Sequence, residues 1–378
     1  MQMTTGILKE PFPETRVSLL SEAAASLTKQ NIHIQLEKNA GALAYAFDDL
    51  YQTKDIPAFE RSVILKEADI VLSIQPLSEE DIQQLKPNAI LIGIYQPLFN
   101  YVLMKQWAKK NITTFSLDMI PRTTRAQTMD VLSSQANIAG YKAVLEAANI
   151  YPHYFPMFMT AAGSIVPAKV LILGAGVAGL QAIATARRLG AVVEVFDTRP
   201  AVKEEVMSLG AKFIEVEGAA DASKSGGYAV EQTEEYKQKQ QQKIAASVAK
   251  ADIIITTAQI PGKKAPILIT DEMLGNMKPG SVIIDLAAAT GGNTLQTKNN
   301  ETIQYNNVTI VGNSNLAATL PSDASKLYGK NVLNFLQLII TKDGNINLNF
   351  DDDIVAGCCI THGGSIVNER VKSLIINQ

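Results

Sequence analysis

Residues 170–179 read VLILGAGVAG, and this segment constrains the fold more than any other part of the chain. A short apolar run, typical of a buried strand, leads directly into a G-x-G-x-x-G spacing at Gly174, Gly176 and Gly179. The first glycine permits a tight turn, the second lets a pyrophosphate approach the backbone, and the third allows a helix to pack closely on the strand. The segment therefore predicts a strand over residues 169–173, a phosphate-binding turn over residues 174–179 and a helix over residues 180–189.

An acidic residue ends the next predicted strand. Asp197 closes the strand predicted over residues 191–197, and a carboxylate at this place accepts both ribose hydroxyls of an adenosine and repels a 2′-phosphate. Arg199 lies two residues further on, and an arginine here can accommodate a 2′-phosphate, so this residue favours NADP. Taken together, the glycine turn and the acid predict a dinucleotide site that favours NAD over NADP.

The rest of this region alternates β-branched runs with helical segments, which is the pattern of a doubly wound parallel sheet. Further strands are predicted over residues 212–216, 252–258, 281–286 and 308–311, with helices over 201–209, 230–250 and 271–277. Thr256 and Thr257 end one strand at the ligand-binding edge, where strand propensity and ligand contact explain them equally well; Gln259, past the strand, has the better claim to a contact. The insertion over residues 217–228 is either a lid or a tolerated insertion.

The remainder of the chain predicts a second domain of the same class. A helix over residues 101–110 and strands over residues 32–36, 69–74 and 89–94 precede the glycine motif, and a long helix capped by Ser322 and Asp323 follows it. The hairpin-like tail, with turns at residues 351–353 and 363–364, is too small to stand alone. We therefore expect an α/β fold of two Rossmann-like doubly wound parallel-sheet domains, the first discontinuous: residues 1–135 with 325–378, and residues 136–324, which include the insertion at about 217–230.

Composition excludes several classes of protein. The net charge of −3 argues against a nucleic-acid-binding surface, and 47% hydrophobic with 19% charged residues is typical of a globular chain. The most apolar stretch, residues 170–186, is shorter than the ~20 residues that a membrane span needs, so no segment is expected to cross a membrane. Cys358 and Cys359 are adjacent, without metal-ligand spacing, and are expected to be reduced and buried on a strand.

Residues 121–135, PRTTRAQTMDVLSSQ, closely resemble the so-called RQD loop in the NAD(H)-binding domain I of proton-translocating transhydrogenases. Residues 174–199 are similar to the nucleotide fingerprint of the same family, and residues 226–229, GGYA, look like its mobile loop. The resemblance covers nearly the whole chain.

The resemblance implies a set of site residues. The nicotinamide and its ribose would be contacted from the loop, as the catalytic set, by Arg122, Gln127, Asp130 and Ser133, with Thr123 and Thr124 beside them. For Arg122 and Asp130 an intramolecular salt bridge on a solvated face is the alternative. The remaining cofactor contacts would be Gly174, Gly176, Val177 and Gly179 at the pyrophosphate, Asp197, Thr198 and Arg199 on the adenosine side, and further Gly227, Gln240 and Gln259, with Tyr228 closing over the nucleotide. No metal is expected.

The resemblance also implies an activity and partners. It implies direct hydride transfer between NAD(H) on this chain and NADP(H) on a domain of the beta subunit, coupled to proton translocation by membrane-spanning subunits. It implies a homodimer, for which residues 138–148 and 151–159 offer apolar surface, and a peripheral place on the inner face of the bacterial cytoplasmic membrane. Hydride transfer between two nicotinamides needs no general acid or base. Accordingly, His33 in a strand, His153 in a helix and His362 in a turn have no recognisable catalytic setting.

Two other interpretations compete with this one. Alanine dehydrogenases resemble the family over both domains, but they carry a lysine on one first-domain strand and a histidine on the next. Here Ser73 stands where the lysine would be, and Ile94 or Tyr95 where the histidine would be, so an amino-acid site is not expected. The other alternative is a non-catalytic NAD(H)-sensing module that regulates a partner.

Overall fold

The computed structural model of the chain describes residues 2–216 and 234–376. The contacts between its Cα atoms divide the chain into two compact units. The first unit comprises Met1–Gln135 and Ala318–Gln378, and the second comprises Ala136–Ala317. Each unit is built on a sheet covered by helices, so the predicted α/β class with Rossmann-like parallel sheets is confirmed.

The N-terminal part of the first unit alternates short strands with helices. Its strands are β1 Thr4–Ile7, β2 His33–Glu37, β3 Ala58–Phe59, β4 Ile70–Leu72, β5 Ile90–Gly93 and β6 Thr113–Ser116, and its helices are α1 Ser21–Thr28, α2 Asp48–Gln52, α3 Arg61–Glu67, α4 Glu79–Gln84 and α5 Tyr101–Lys109. β4 and β5 are buried along their whole length and read IVL and ILIG. Such continuous apolar strands are what a parallel sheet with both faces covered requires.

The second unit follows, and the division between the units falls inside its first helix. The elements are α6 Val131–Ile150, β7 Phe158–Thr160, β8 Gly163–Ile165, β9 Lys169–Leu173, α7 Val177–Arg188, β10 Val192–Phe196, α8 Lys203–Ser208, β11 Lys212–Phe213, α9 Glu234–Val248, β12 Ile253–Thr256, α10 Asp271–Gly275, β13 Val282–Asp285, β14 Thr302–Tyr305 and β15 Val308–Val311. Every strand predicted here is present. The β7–β8 hairpin and the antiparallel strand β14 were not predicted.

The returning segment contains more helix than the sequence suggests. Its elements are α11 Pro321–Ile339, α12 Asp353–Cys358, β16 Cys359–His362, β17 Ser365–Ile366 and α13 Glu369–Ile376. The predicted cap of α11 at Ser322 and Asp323 is wrong, because Leu320 is the N-cap and Pro321 opens the helix. The turn predicted at residues 351–353 is present over residues 350–352 and leads directly into α12, where Asp352 accepts hydrogen bonds from the backbone N–H groups of Ile354 and Val355.

The cysteine prediction is half right. Cys358 and Cys359 are both free and buried, as expected. Only Cys359 lies on a strand, however, because Cys358 is the last residue of α12. Burial raises the pKa of both thiols, and the pKa of Cys359 rises to about 12. A thiol that stays protonated is a poor nucleophile, so both cysteines act as small apolar residues of the core.

The parallel strands of the two sheets follow the same order. Among the described residues, the first sheet runs β17-β16-β6-β5-β4-β1-β2-β3 and the second β11-β10-β9-β12-β13-β15-β14. Neighbours from β3 to β6 and from β11 to β15 are parallel, whereas β14, β16 and β17 join antiparallel. In each sheet the order reverses beside the first strand, between β1 and β4 and between β9 and β12. Sheets of this kind bind ligands at the carboxyl end of that reversal.

Alternate residues of the second sheet enter two separate cores. Val170 and Ile172 of β9 pack into one apolar cluster, and Leu171 and Leu173 pack into the other. Since successive side chains of a strand point to opposite faces, the second sheet is buried on both sides. Apolar burial of this kind leaves the carboxyl edge as the place where polar groups can meet a ligand.

Candidate nucleotide-binding site

The glycine turn joins β9 to α7 at the reversal of the second sheet. Gly174 has φ +107°, and a Cβ on it would lie 2.3 Å from Thr257 Oγ1. A Cβ on Gly179 would lie 1.9 Å from the carbonyl oxygen of Gly174. Both positions therefore require glycine to close the turn and to pack the helix on the strand. A Cβ on Gly176, by contrast, would meet no atom of the described residues within 4 Å, so this glycine leaves open space in front of the backbone.

The helix behind the turn starts earlier than predicted. α7 begins at Val177 and not at residue 180, and Gly176 is its N-cap. Within the described part of the chain, no side chain caps this helix start. The first N–H groups of a helix have no partner inside the helix, and together with the helix dipole they bind anions. An uncapped start behind an open glycine fits a dinucleotide pyrophosphate.

Asp197 lies just past β10 and is nearly buried, with 8% of its surface exposed. Its Oδ2 accepts a hydrogen bond of 2.7 Å from the backbone N–H of Ala175 in the glycine turn. The carboxylate thus connects the ends of β9 and β10, and it stands where the adenosine ribose is expected. Thr198, the next residue, is half-buried.

Arg199 binds the same carboxylate. Its backbone N–H donates to Asp197 Oδ1 over 2.8 Å, its Nε donates to Oδ1 over 2.9 Å, and its Nη2 donates to Oδ2 over 2.7 Å. These hydrogen bonds raise the pKa of the guanidinium, so Arg199 stays charged. Arg199 therefore neutralises the carboxylate that would repel a 2′-phosphate, and ribose hydroxyls must compete with it for Asp197.

The end of β12 supports the glycine turn. Thr257 Oγ1 donates to the carbonyl oxygen of Gly174 over 3.1 Å, and Thr256 Oγ1 is buried without a hydrogen bond among the described residues. Gln259 is exposed and donates through Nε2 to the carbonyl oxygen of Leu286 over 2.7 Å. For Thr257, which the sequence left open, the observed contact is with the turn itself.

The other predicted contacts of this unit are spread more widely. Gln240 lies on α9, where it is half-buried. Gly227 and Tyr228, the candidate lid residues, and the whole loop at 217–230 lie outside the described residues.

The loop at residues 120–133 of the first unit lines a cavity of about 470 Å³. Its central part, Thr124–Met129, is a 3-10 helix. All the loop residues to which the resemblance gave a role line this one cavity, with Ile120, Pro121 and Ala126 completing its wall; they are Arg122, Thr123, Thr124, Gln127, Asp130 and Ser133. The loop thus presents an amide, a guanidinium, a carboxylate and hydroxyls to a single space.

Two of these residues are bound to each other. Asp130 Oδ2 accepts a hydrogen bond of 2.6 Å from Ser133 Oγ, and its Oδ1 accepts one of 2.9 Å from the backbone N–H of Ser133. Asp130 immediately precedes α6, so these bonds also cap the start of that helix. Since Ser133 uses its proton on Asp130, its hydroxyl oxygen can accept a hydrogen bond from a ligand. The side-chain amide of Gln127 makes no hydrogen bond within the described residues.

A buried polar cluster that the sequence pattern did not reveal lies at the reversal of the first sheet. Glu10 follows β1 and accepts hydrogen bonds from the backbone N–H groups of Ile74 over 2.6 Å and Gln75 over 3.0 Å, just past β4. Burial raises the pKa of Glu10 to about 7. Arg16 pairs with Glu14 over 2.6 Å, and both side chains are buried. The chain's own side chains therefore fill the place where a second ligand would bind this sheet.

Ser73 and Tyr95, two of the residues that argued against an amino-acid dehydrogenase, lie in the same region. The Ser73 and Tyr95 hydroxyls lie 3.0 Å apart, and both side chains are buried. Burial raises the pKa of Tyr95 well above its ordinary value, so its phenol remains protonated. Two neutral hydroxyls bound to each other offer neither a cation for a substrate carboxylate nor a base near neutral pH.

The histidine placements need two corrections. His33 begins β2, as predicted, but His153 lies past the end of α6 and not in a helix. His362 ends β16 and is not in a turn, and its Nδ1 lies 3.1 Å from Thr113 Oγ1. Residues 2–216 and 234–376 contain no cluster of histidine, cysteine and acidic side chains that could hold a metal. Within the same ranges, no helix is both long and apolar enough to cross a bilayer.

Comparison with known proteins agrees with this geometry. The family described as Alanine dehydrogenase/PNT, N-terminal domain, matches residues 6–139, and Alanine dehydrogenase/PNT, C-terminal domain, matches residues 143–369. The chain is 45% identical to the first segment of the NAD(P) transhydrogenase alpha subunit of Rickettsia prowazekii, over 95% of this chain and 94% of that protein.

Two solved structures are similar to the chain. The crystal structure of transhydrogenase from Sinorhizobium meliloti has a TM-score of 0.88 and 42% identity, and the match covers 96% of this chain and 100% of that one. An L-alanine dehydrogenase has a TM-score of 0.83 over 99% of each chain, at 20% identity. The second likeness shows the fold alone.

The fold, the glycine turn and these relatives together define a nicotinamide-nucleotide-binding protein of two Rossmann-like units. The chain belongs to the Alanine dehydrogenase/PNT family, and within it to the alpha subunits of NAD(P) transhydrogenase. It is thus part of an oxidoreductase, and an alpha subunit implies association with other transhydrogenase subunits.

Proposed function

We propose that this chain binds NAD(H) and exchanges a hydride directly with NADP(H) held on a domain of the beta subunit. Membrane-spanning subunits would couple the exchange to proton translocation, and the chain would lie on the cytoplasmic side of the bacterial inner membrane. The observation that carries the proposal is the loop cavity of the first unit. It presents groups that can orient a nicotinamide, and among the described residues no histidine or lysine lines it.

The residues of the second unit fit the adenosine and pyrophosphate of the nucleotide. The open backbone at Gly176 and the uncapped helix start at Val177 would receive the phosphates. Asp197 would accept the ribose hydroxyls and so favour NAD over NADP, whereas Arg199 would act in the opposite direction by attracting a 2′-phosphate. Thr198, Arg199, Gln240 and Gln259, with Gly227 and Tyr228, would complete this set.

The loop residues of the first unit would orient the nicotinamide and its ribose. Gln127 has a side-chain amide that can donate and accept hydrogen bonds, and Ser133 has a hydroxyl oxygen held by its bond to Asp130. Arg122, Thr123 and Thr124 line the same cavity. When bound, the nicotinamide ring supplies the hydride chemistry. The chain supplies orientation, which accounts for most of the rate in a reaction that needs no proton transfer.

The described residues lack the free groups that an amino-acid dehydrogenase would need to bind its substrate. Arg16 is a buried cation of the same unit, but its guanidinium is engaged by Glu14 and by Gln135 Oε1, over 2.6 Å and 2.7 Å. A substrate carboxylate would have to displace a buried partner. A non-catalytic NAD(H)-sensing module remains the second alternative, and it differs from the proposal only in the absence of hydride exchange.

The test is stopped-flow measurement of hydride exchange between NADH on the full chain and an oxidised nicotinamide analogue on the NADP(H)-binding partner. Exchange at enzyme-like rates, with no oxidation of alanine in the presence of NAD, is the expected result. Binding of NADH without exchange would support the sensing module and overturn the proposal, and oxidation of alanine would support the amino-acid dehydrogenase.

We also propose that the chain forms a homodimer. The surface suggested by residues 138–148 has to be corrected, because Ala143, Val144 and Ala147 are buried in the core of their own unit. Apart from Tyr141, the exposed apolar side chains lie in the predicted segment 151–159 and in strand β8 and the residue after it; they are Tyr154, Met157, Phe158, Met159, Ile165 and Val166.

A further inference from the structure

The loop that carries Gln127 and Asp130 is a 3-10 segment, which has poorer hydrogen-bond geometry than an α-helix and is stable only in short pieces. Most of its residues are exposed, including Gln127 and Thr128. A segment of this kind keeps a defined position only if other elements hold it. In this structure, the holding contacts come from the returning segment, which is far away in the chain.

The main attachment is to the carbonyl oxygen of Thr128. Asn331 Nδ2 donates to it over 2.7 Å, and Asn334 Nδ2 donates to it over 2.9 Å. Both asparagines lie on α11, almost one turn apart. Thr128 is exposed, so water could donate a hydrogen bond to its carbonyl oxygen in place of either asparagine. What two converging donors add is a fixed position for the Thr128–Met129 peptide, one residue after Gln127.

Further contacts hold the two ends of the loop. Arg125 pairs with Asp352 over 2.6 Å and also with Asp353 at the start of α12. At the other end, Gln135 Nε2 donates to the carbonyl oxygen of Ala324 on α11 over 3.2 Å. The Arg125 ion pair is half exposed and therefore contributes little by itself. The central attachment at Thr128 is the one closest to Gln127.

Asn331 also carries a cost that a purely structural role does not explain. Its Oδ1 is buried and has no hydrogen-bond partner among the described residues. A buried acceptor without a partner lowers stability, and an apolar side chain of the same shape avoids that loss. The hydrogen bond that the Asn331 side chain does make among the described residues is the one from Nδ2 to the loop.

We infer that Asn331 and Asn334 are positioning residues for hydride transfer, which act by fixing the Thr128 carbonyl and thereby the side chain of Gln127. This inference rests on the proposed function, because it assumes that Gln127 orients the nicotinamide ribose. Neither asparagine lines the loop cavity, so neither is expected to touch the nucleotide.

The test compares the full chain with the double variant Asn331→Leu/Asn334→Leu. The matched control is Gln337→Leu, which replaces an exposed amide on the same helix. Three quantities are measured for each protein: the rate of hydride transfer to the NADP(H)-binding partner, the Kd for NADH and the thermal midpoint. We expect the transfer rate of the double variant to fall by about tenfold to a hundredfold, since a shift of ~1 Å in the reacting groups costs that much. The Kd and the midpoint should stay close to those of the control.

Two outcomes would overturn the inference: an unchanged transfer rate, or a parallel loss of rate, affinity and midpoint, which is the mark of a merely structural contact. If the double variant does not fold, the single variants decide, because each keeps one donor and should lose part of the rate. Failure of the wild-type chain to transfer hydride would count against the proposed function itself. If the wild type and both single variants transfer hydride at the same rate, only the positioning role of Asn331 and Asn334 would be ruled out.

Discussion

Arg199 donates hydrogen bonds to both carboxylate oxygens of Asp197, so the acid at the adenosine side is neutralised by its own near neighbour. In a Rossmann fold, a free carboxylate here repels the 2′-phosphate of NADP, whereas an arginine attracts it. The two residues therefore act against each other in nucleotide choice. Asp197 is the more buried of the pair and is tied to the glycine turn through Ala175.

The first prediction follows from that pair. NADH should bind better than NADPH, and Arg199→Ala should widen the preference by about tenfold, the worth of one hydrogen bond to a charged group. Asp197→Asn should narrow it. Fluorescence titration of both nucleotides against the three proteins measures the ratios. Equal affinity of the wild type for the two, or better NADPH binding after Arg199→Ala, would contradict the assignment.

The glycine turn offers a matched pair of substitutions. Gly176→Ala should cost only about 1 kcal/mol of stability, the loss expected for alanine at an N-cap whose Cβ meets open space, but it should weaken NADH binding by about tenfold or more by blocking the phosphates. Gly179→Ala should destabilise the chain by about 1–3 kcal/mol, because its Cβ would lie 1.9 Å from a carbonyl oxygen. Thermal unfolding and NADH titration separate the two effects. Unaltered binding by Gly176→Ala would show that the phosphates lie elsewhere.

Gln127 tests the nicotinamide loop directly. Gln127→Asn shortens an exposed side chain by one methylene, so folding should be unaffected, while hydride transfer should slow by about a hundredfold through misplacement of the ribose. NADH binding should weaken far less. Gln106→Asn, at an exposed position of α5, is the control. Normal transfer by Gln127→Asn would remove this residue from the mechanism.

The buried Glu10 predicts a pH dependence of stability. Burial raises its pKa to about 7 in the folded chain, from an ordinary value of 4.5. Between these values the folded state binds more protons than the unfolded state. The contribution of Glu10 to stability is therefore fully present below about pH 4.5, and it declines as the pH rises through about 7, by on the order of 3 kcal/mol.

Denaturant unfolding of wild type and Glu10→Gln, at about pH 5 and about pH 8, isolates this group from the others. The variant has no titrating side chain at this position, so its stability relative to wild type should be higher at the more alkaline pH. A difference between the two proteins that does not change with pH would mean that Glu10 titrates normally.

The exposed hairpin predicts an oligomer. Light scattering at micromolar concentration should give the mass of a dimer, and Met159→Glu, which places a charge on a side chain that is 75% exposed, should weaken association. Val102→Glu, at an exposed apolar position on α5, should leave the mass unchanged. A monomeric wild type, or equal masses for all three proteins, would be inconsistent with a dimer through this segment.

Local pattern was sufficient to predict the parallel strands of the second unit. Strand β9 and strand β15 were predicted at their observed bounds, since buried parallel strands are short apolar runs between turn residues. Helix starts were less well predicted, because α7 begins as soon as the phosphate turn ends and α11 begins at a proline. The strand β14 was missed because its residues alternate between exposed and half-buried, so no continuous apolar run marks it.

The amino-acid sequence by itself determined the fold class, the glycine turn and the identity of the loop residues, because each depends on neighbouring residues or on a recognisable motif. Only the tertiary structure decided which distant groups meet. The burial of Glu10 against Ile74 and Gln75, the Ser73–Tyr95 hydrogen bond and the two asparagines on the Thr128 carbonyl join segments far apart in the chain. No local periodicity encodes such contacts, since they arise when sheet order and helix packing bring carboxyl ends and returning helices together.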